Sequence, residues 1–123
     1  MFTRKNNRGY IYIASNKAMP GLVKIGMTAK QPKKRLQELY TTGVPFPFKL
    51  HYECQVKDAR NTEQLLHQLL DAYRVSKKRE FFEIEPGNAI RITERTVCSI
   101  RTVERGRSWS RWILLILIVA ALA

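Results

Sequence analysis

Acidic residues are scarce in this chain of 123. Ten Asp and Glu stand against 22 Lys and Arg, leaving a formal charge of +12 at pH 7. Such a balance points to a polyanionic partner, either nucleic acid or an anionic membrane surface. Cysteine is almost lacking: Cys54 and Cys98 sit far apart with no CxxC context. That excludes a disulfide framework and leaves reduced thiols as the expectation. His51 and His67 have no Cys or His at ligand spacing, so no zinc site is expected. Glycine is sparse, six in all, and forms no Gly-rich cradle for phosphates; no nucleotide cofactor is expected. Phe2 to Arg8 is basic and polar with no apolar run behind it, so no N-terminal signal peptide is predicted. The length fits one domain with a modest core.

What is present is organised around Gly9 to Arg35, GYIYIASNKAMPGLVKIGMTAKQPKKR. Tyr10 to Ile13 and Val23 to Thr28 are rich in the β-branched and aromatic residues that strands favour. Ser15 to Gly21 between them supplies Asn, Pro and Gly for a turn. The stretch predicts a hairpin with a long loop. Alternation puts Ile11 and Ile13 on one side of the first strand and Tyr10 and Tyr12 on the other. In the second, Val23 and Ile25 oppose Lys24 and Gly26. With the Ile/Val side as core, Tyr12 and Lys24 share the opposite face of neighbouring strands. An ammonium beside a phenol favours the phenolate and lowers its pKa from about 10.

Pro32 suits the first turn of a helix. Leu36, Leu39 and Tyr40 recur at helical spacing and are expected to face the core. Lys33, Lys34 and Arg35 crowd the first turn against the helix dipole, an arrangement that makes sense if the helix start meets a phosphate. Arg35 is the strongest basic candidate, because a guanidinium holds a phosphoryl group through two bonds. Lys33 and Lys34 are candidate nucleic-acid contacts, although the usual exposure of Lys favours a solvated face for both. Gly43 and Pro45 end the helix. Phe48 to Val56 alternates, with Phe48, Leu50, Tyr52, Cys54 and Val56 on one apolar side, and predicts a strand. Asp58 is an N-cap for a helix running to about Tyr73, with Leu66, Leu69, Leu70 and Tyr73 as its apolar stripe. Glu63 and His67 lie on one helix face, a turn apart. From spacing alone, a wet surface pair accounts for them. Lys77, Lys78 and Arg79 form a basic turn suited to phosphate contacts. Phe81 and Phe82 read as a short strand or extended segment sealing the core. Residues 88–101 are ambiguous between helix and strand.

Taken in order, GYIYI, MPGLVKIGMT, RLQEL, Glu63 with His67, and REFF resemble the GIY-YIG nuclease superfamily, more closely its small phage and bacterial branch with a KIG second motif. The resemblance runs roughly from Gly9 to Glu83. It implies an α+β fold with a small three-stranded, mainly antiparallel sheet flanked by helices, over residues 1–94. It also implies a metal-dependent DNA endonuclease that hydrolyses phosphodiester bonds by a one-metal mechanism. Carried over residue by residue, Tyr12 takes a proton from the attacking water with help from Lys24. Arg35 binds the scissile phosphate. Glu63 holds Mg²⁺ or Mn²⁺, and His67 orients Glu63 or a water. Lys24 is a departure, since many relatives carry a Tyr there; the proton route stays open, and the alternative role for Lys24 is donation to a phosphate oxygen.

The C-terminal end changes character. Residues 95–111 read as a basic, Arg-rich linker, and residues 112–123 are uninterrupted apolar sequence. As a helix this tail is about 18 Å long, against the roughly 20 residues a span requires. Trp109, Trp112 and the Arg run behind them match a membrane interface and its cytoplasmic side. The tail reads either as an anchor tethering a cytoplasmic protein to the membrane or as a terminal helix packed on protein. Two further functions compete with the nuclease: a catalytically weak nucleic-acid-binding module, and a membrane-tethered domain that binds a partner.

Overall fold

Alternating aromatic and β-branched residues on either side of a Pro-Gly loop produce the hairpin at the centre of the fold. The computed structural model describes residues 7–76 and 80–106. Strand β1 (Gly9–Ser15) pairs antiparallel with β2 (Val23–Thr28), placing Tyr12 opposite Gly26 and Ala14 opposite Lys24. Gly21 closes the connecting loop at φ 81°, a left-handed conformation that glycine adopts without steric cost. The Asn16 side chain pins this loop. Its Oδ1 accepts from the Ala18 N–H at 2.9 Å, and its Nδ2 donates to the Phe46 carbonyl at 2.8 Å.

The chain continues through α1 (Pro32–Leu39), β3 (Lys49–Val56), α2 (Ala59–Leu69), a 3₁₀ turn (Asp71–Tyr73) and β4 (Phe81–Phe82). The sheet order is β3-β1-β2-β4, with every pairing antiparallel. The α+β class therefore holds, but the sheet has four strands rather than three. Phe81 and Phe82 pair with Lys24 and Val23. A two-residue ladder is too short to leave a period-two signal in sequence.

Because β1 is internal, Ile11, Tyr12, Ile13 and Ala14 are all buried. Leu36 of α1 packs with Tyr12 and Ala14, and Leu39, Phe48 and Leu50 close around them. The clean alternation expected for β3 breaks at His51. Ile13 lies opposite Tyr52 but Ala14 lies opposite Leu50, so His51 is the extra residue of a bulge. The bulge turns Leu50 to the Tyr12 face, away from Tyr52 and Cys54. His51 Nε2 lies 2.6 Å from Ser15 Oγ.

Two aromatic residues expected in helix stripes lie outside them. Tyr40 caps the end of α1 in extended backbone and is 49% exposed. Tyr73 falls in the 3₁₀ turn after α2 and is 47% exposed. Asp58 caps α2 as expected, accepting from the Asn61 N–H at 3.1 Å. Phe82 is fully buried, while Phe81 is only half-buried.

The chain divides into two compact units, residues 1–86 and 87–123. The second is described as helix α3 (Pro86–Gly106), which resolves the ambiguity of residues 88–101. Thr96, Ser99 and Thr102 each donate to the carbonyl four residues back, so their hydroxyls are satisfied within the helix. Neither Cys54 nor Cys98 forms a disulfide. Among the described residues, no helix is long and apolar enough to cross a membrane. The apolar tail of residues 112–123 and the basic turn of Lys77, Lys78 and Arg79 lie outside the described residues.

Candidate active site

Tyr12 projects from β1 across β2. A Cβ placed on Gly26 would fall 2.7 Å from the phenol oxygen and 3.1 Å from Glu80 Oε2. The hydroxyl thus crosses the sheet directly over Gly26, through space that a side chain would fill. Lys24, on the same face of β2, donates from Nζ to Glu80 Oε2 at 2.8 Å. The Lys24 ammonium also lies 5.5 Å from the Phe81 ring centroid. Arg35, one turn into α1, is near enough to the Tyr12 hydroxyl to favour its ionised form. Its Nη1 lies 3.6 Å from the Glu38 carboxylate.

The pair on α2 is placed by the edge of β2. Strand β4 covers that edge only at Val23 and Lys24. Alternate residues of an antiparallel strand present their N–H and C=O to the same edge, so Ile25 and Met27 come next. The Ile25 N–H donates to the Glu80 carbonyl at 3.1 Å. The Ile25 carbonyl accepts from His67 Nε2 at 2.9 Å, and the Met27 N–H is near enough to the Glu63 carboxylate to favour its charged form. His67 thus continues the ladder where the sheet runs out, and Glu63, one helix turn before it, lies near Met27. The carbonyl can only accept, so His67 carries its proton on Nε2.

The sequence profile of the T5orf172 domain matches residues 9–97. The chain belongs to the T5orf172 domain family. This family is associated with nuclease domains in phage and bacteria, and the T5orf172 region is accordingly a nuclease-like module suited to nucleic acid. The match covers Tyr12, Lys24, Arg35, Glu63, His67 and Glu80 alike. No curated protein and no solved structure matches the chain.

The electrostatics of the T5orf172 site correct one expectation. The Tyr12 pKa is not lowered by Lys24 but pushed up to about 12, first by burial and then by the Glu80 carboxylate; Arg35 opposes both. Lys24 has turned its charge to Glu80 instead of the phenol. Burial likewise pushes Glu63 up to about 7, with Glu80 adding to the rise; the Met27 N–H, Lys24 and Arg74 act against it. Burial holds His67 below its usual range, which keeps its ring neutral against Phe82, 5.1 Å away between centroids.

Glu63 and Glu80 form a pair of hard oxygen donors, and the Glu80 charge makes the ionisation of Glu63 costlier. Among the described residues, no cluster of three or more His, Cys, Asp or Glu could hold a metal ion. These residues fit Mg²⁺ or Mn²⁺, which takes one or two carboxylates and completes its shell with water and phosphate oxygens.

Of the residues singled out from sequence, the T5orf172 fold brings Tyr12, Lys24, Arg35 and Glu63 together. His67 is on the same helix face as Glu63, but its bond seats α2 on β2. Lys33 and Lys34 are exposed on α1. Glu80 is the member that the sequence reading did not select. It stands 56 residues from Lys24, beyond the reach of any local pattern; the REFF segment was the only signal for it.

Proposed function

We propose that this chain is a metal-dependent DNA endonuclease of the GIY-YIG type, hydrolysing phosphodiester bonds with a single Mg²⁺ or Mn²⁺. The observation that carries this reading is the convergence of Arg35 from α1 and Glu63 from α2 on the neighbourhood of the Tyr12 hydroxyl. Arg35 binds a non-bridging oxygen of the scissile phosphate and offsets charge as it builds. Tyr12 stays a phenol at neutral pH. Its oxygen lies near Arg35 and offers a lone pair to align the attacking water. Lys24 holds Glu80 beside Glu63 through their 2.8 Å bond. A cation bound through Glu63 would supply Lewis-acid stabilisation of the leaving oxygen.

The test is nicking of supercoiled plasmid by the full chain in Mg²⁺ or Mn²⁺. Arg35→Ala and Glu63→Ala are each expected to lower the rate by about a hundredfold or more. Cleavage that persists in both variants would sink the assignment. A second reading, a nucleic-acid-binding module with little chemistry, is favoured by the protonated Tyr12 and by the engagement of Lys24 with Glu80. It is selected if the chain retains DNA at low salt yet never cuts it in either metal.

A further inference from the structure

Helix α1 carries a second face that the candidate site does not use. A groove of about 430 Å³ runs between α1 and the segment leading into β3, lined by Lys33, Leu36, Gln37, Tyr40, Phe48 and Leu50 together with Pro47. Its floor is apolar and continuous with the site, since Leu36, Phe48 and Leu50 belong to the packing around Tyr12. Its wall is Tyr40, half exposed, and Phe46 stands exposed at 44% beside Pro47. Lys33 supplies a cation, and none of the lining residues is acidic. The nearest acid on α1, Glu38, is engaged by Lys30 at 2.9 Å and by Arg35 at 3.6 Å.

This combination distinguishes between forms of nucleic acid. A duplex keeps its bases stacked inside and offers phosphates, for which an apolar groove walled by aromatics has no use. An unstacked strand offers π-faces that sit on aromatic side chains, with phosphates that meet lysine.

We propose that this groove binds unstacked bases of a single-stranded segment next to the scissile phosphate, with Tyr40 as the stacking platform and Lys33 on the backbone. This deepens the nuclease reading and rests on it: the substrate class is single-stranded or locally opened DNA.

The experiment is fluorescence anisotropy of a labelled oligothymidine 15-mer and a 15-base-pair duplex with the full chain in EDTA, so that cleavage plays no part. Tyr40→Ala is expected to weaken single-strand binding by on the order of tenfold while duplex affinity stays within about twofold. Tyr40→Phe keeps single-strand binding. Tyr40 is exposed, so the fold tolerates the change, and thermal melting of the variant verifies this. Equal losses on both oligonucleotides, or none on the single strand, overturn the proposal. So does native protein that binds the duplex alone, although the nuclease reading then stands. A native dimer that Tyr40→Ala dissociates would assign the groove to a second copy and overturn it as well. If neither oligonucleotide binds at low salt, the nucleic-acid reading itself fails.

Discussion

A methyl group on Gly26 would meet the Tyr12 hydroxyl at 2.7 Å and a Glu80 oxygen at 3.1 Å. Tyr12 is fully buried and packed with Ala14 and Leu36, so the ring has little room to give. Gly26→Ala is expected to cost about 1–3 kcal/mol in urea denaturation; an alanine variant of native stability would show that the phenol moves freely. Glu63 gives a pH signature. Its folded pKa of about 7 lies above the ordinary 4.5, so between those values the folded state binds more protons than the unfolded one. In metal-free protein the stability due to this group is full below about pH 4.5 and is lost as pH rises through 7. Glu63→Gln, a mimic of the neutral form, should melt a few degrees above native protein at pH 8 and alongside it at pH 4.5. A difference independent of pH would mean that the carboxyl is not perturbed. At Glu80, removing the charge should let the Tyr12 phenol ionise at lower pH, because Glu80 raises it; a difference titration of phenolate absorbance in Glu80→Gln reads this directly.

At the scale of elements, the joint between α2 and β2 decides where the site forms. Strand edges are exposed rows of unpaired backbone groups, and β4 covers only part of this one. His67 satisfies one of the remaining groups, so the helix that carries the candidate metal ligand is registered to the strand that carries Lys24 and Gly26. His67→Ala leaves the buried Ile25 carbonyl without its partner and is expected to cost about 1–3 kcal/mol. Hydrogen exchange should show faster turnover of the β2 edge amides, that of Met27 above all; unchanged protection there would remove His67 from the joint. The β3 bulge works in the same direction on the other flank. By shifting Leu50 beneath α1, it completes the apolar bed on which Tyr12 rests.

For the whole molecule, charge sets the terms of binding. With +12 spread over 123 residues, association with a polyanion must depend steeply on salt. Three phosphate contacts from Lys33, Lys34 and Arg35 alone predict a log–log slope of about −2.7 on duplex DNA. A shallower slope would mean that the start of α1 does not face the backbone.

Much of this molecule was decided within a turn or two of chain. The β1–β2 hairpin, the start of α1 at Pro32, the Asp58 cap and the α+β class follow from alternation, fixed backbone angles and a side-chain acceptor three residues from its donor. So does the basic character that selects a polyanion. The ordered motifs from Gly9 to Glu83 also marked Tyr12, Lys24, Arg35 and Glu63 before any geometry was known. What they lacked was surroundings. Tyr12 is buried because β3 and β4 make its hairpin the centre of a sheet and α1 covers it. Lys24 is turned from the phenol because a carboxylate 56 residues away reaches it first. Leu50 changes faces because one extra residue enters β3, and Tyr40 leaves the core because α1 ends one residue before it. A pKa, a partner and a groove are properties of what packs around a residue, and long-range pairing alone determines that.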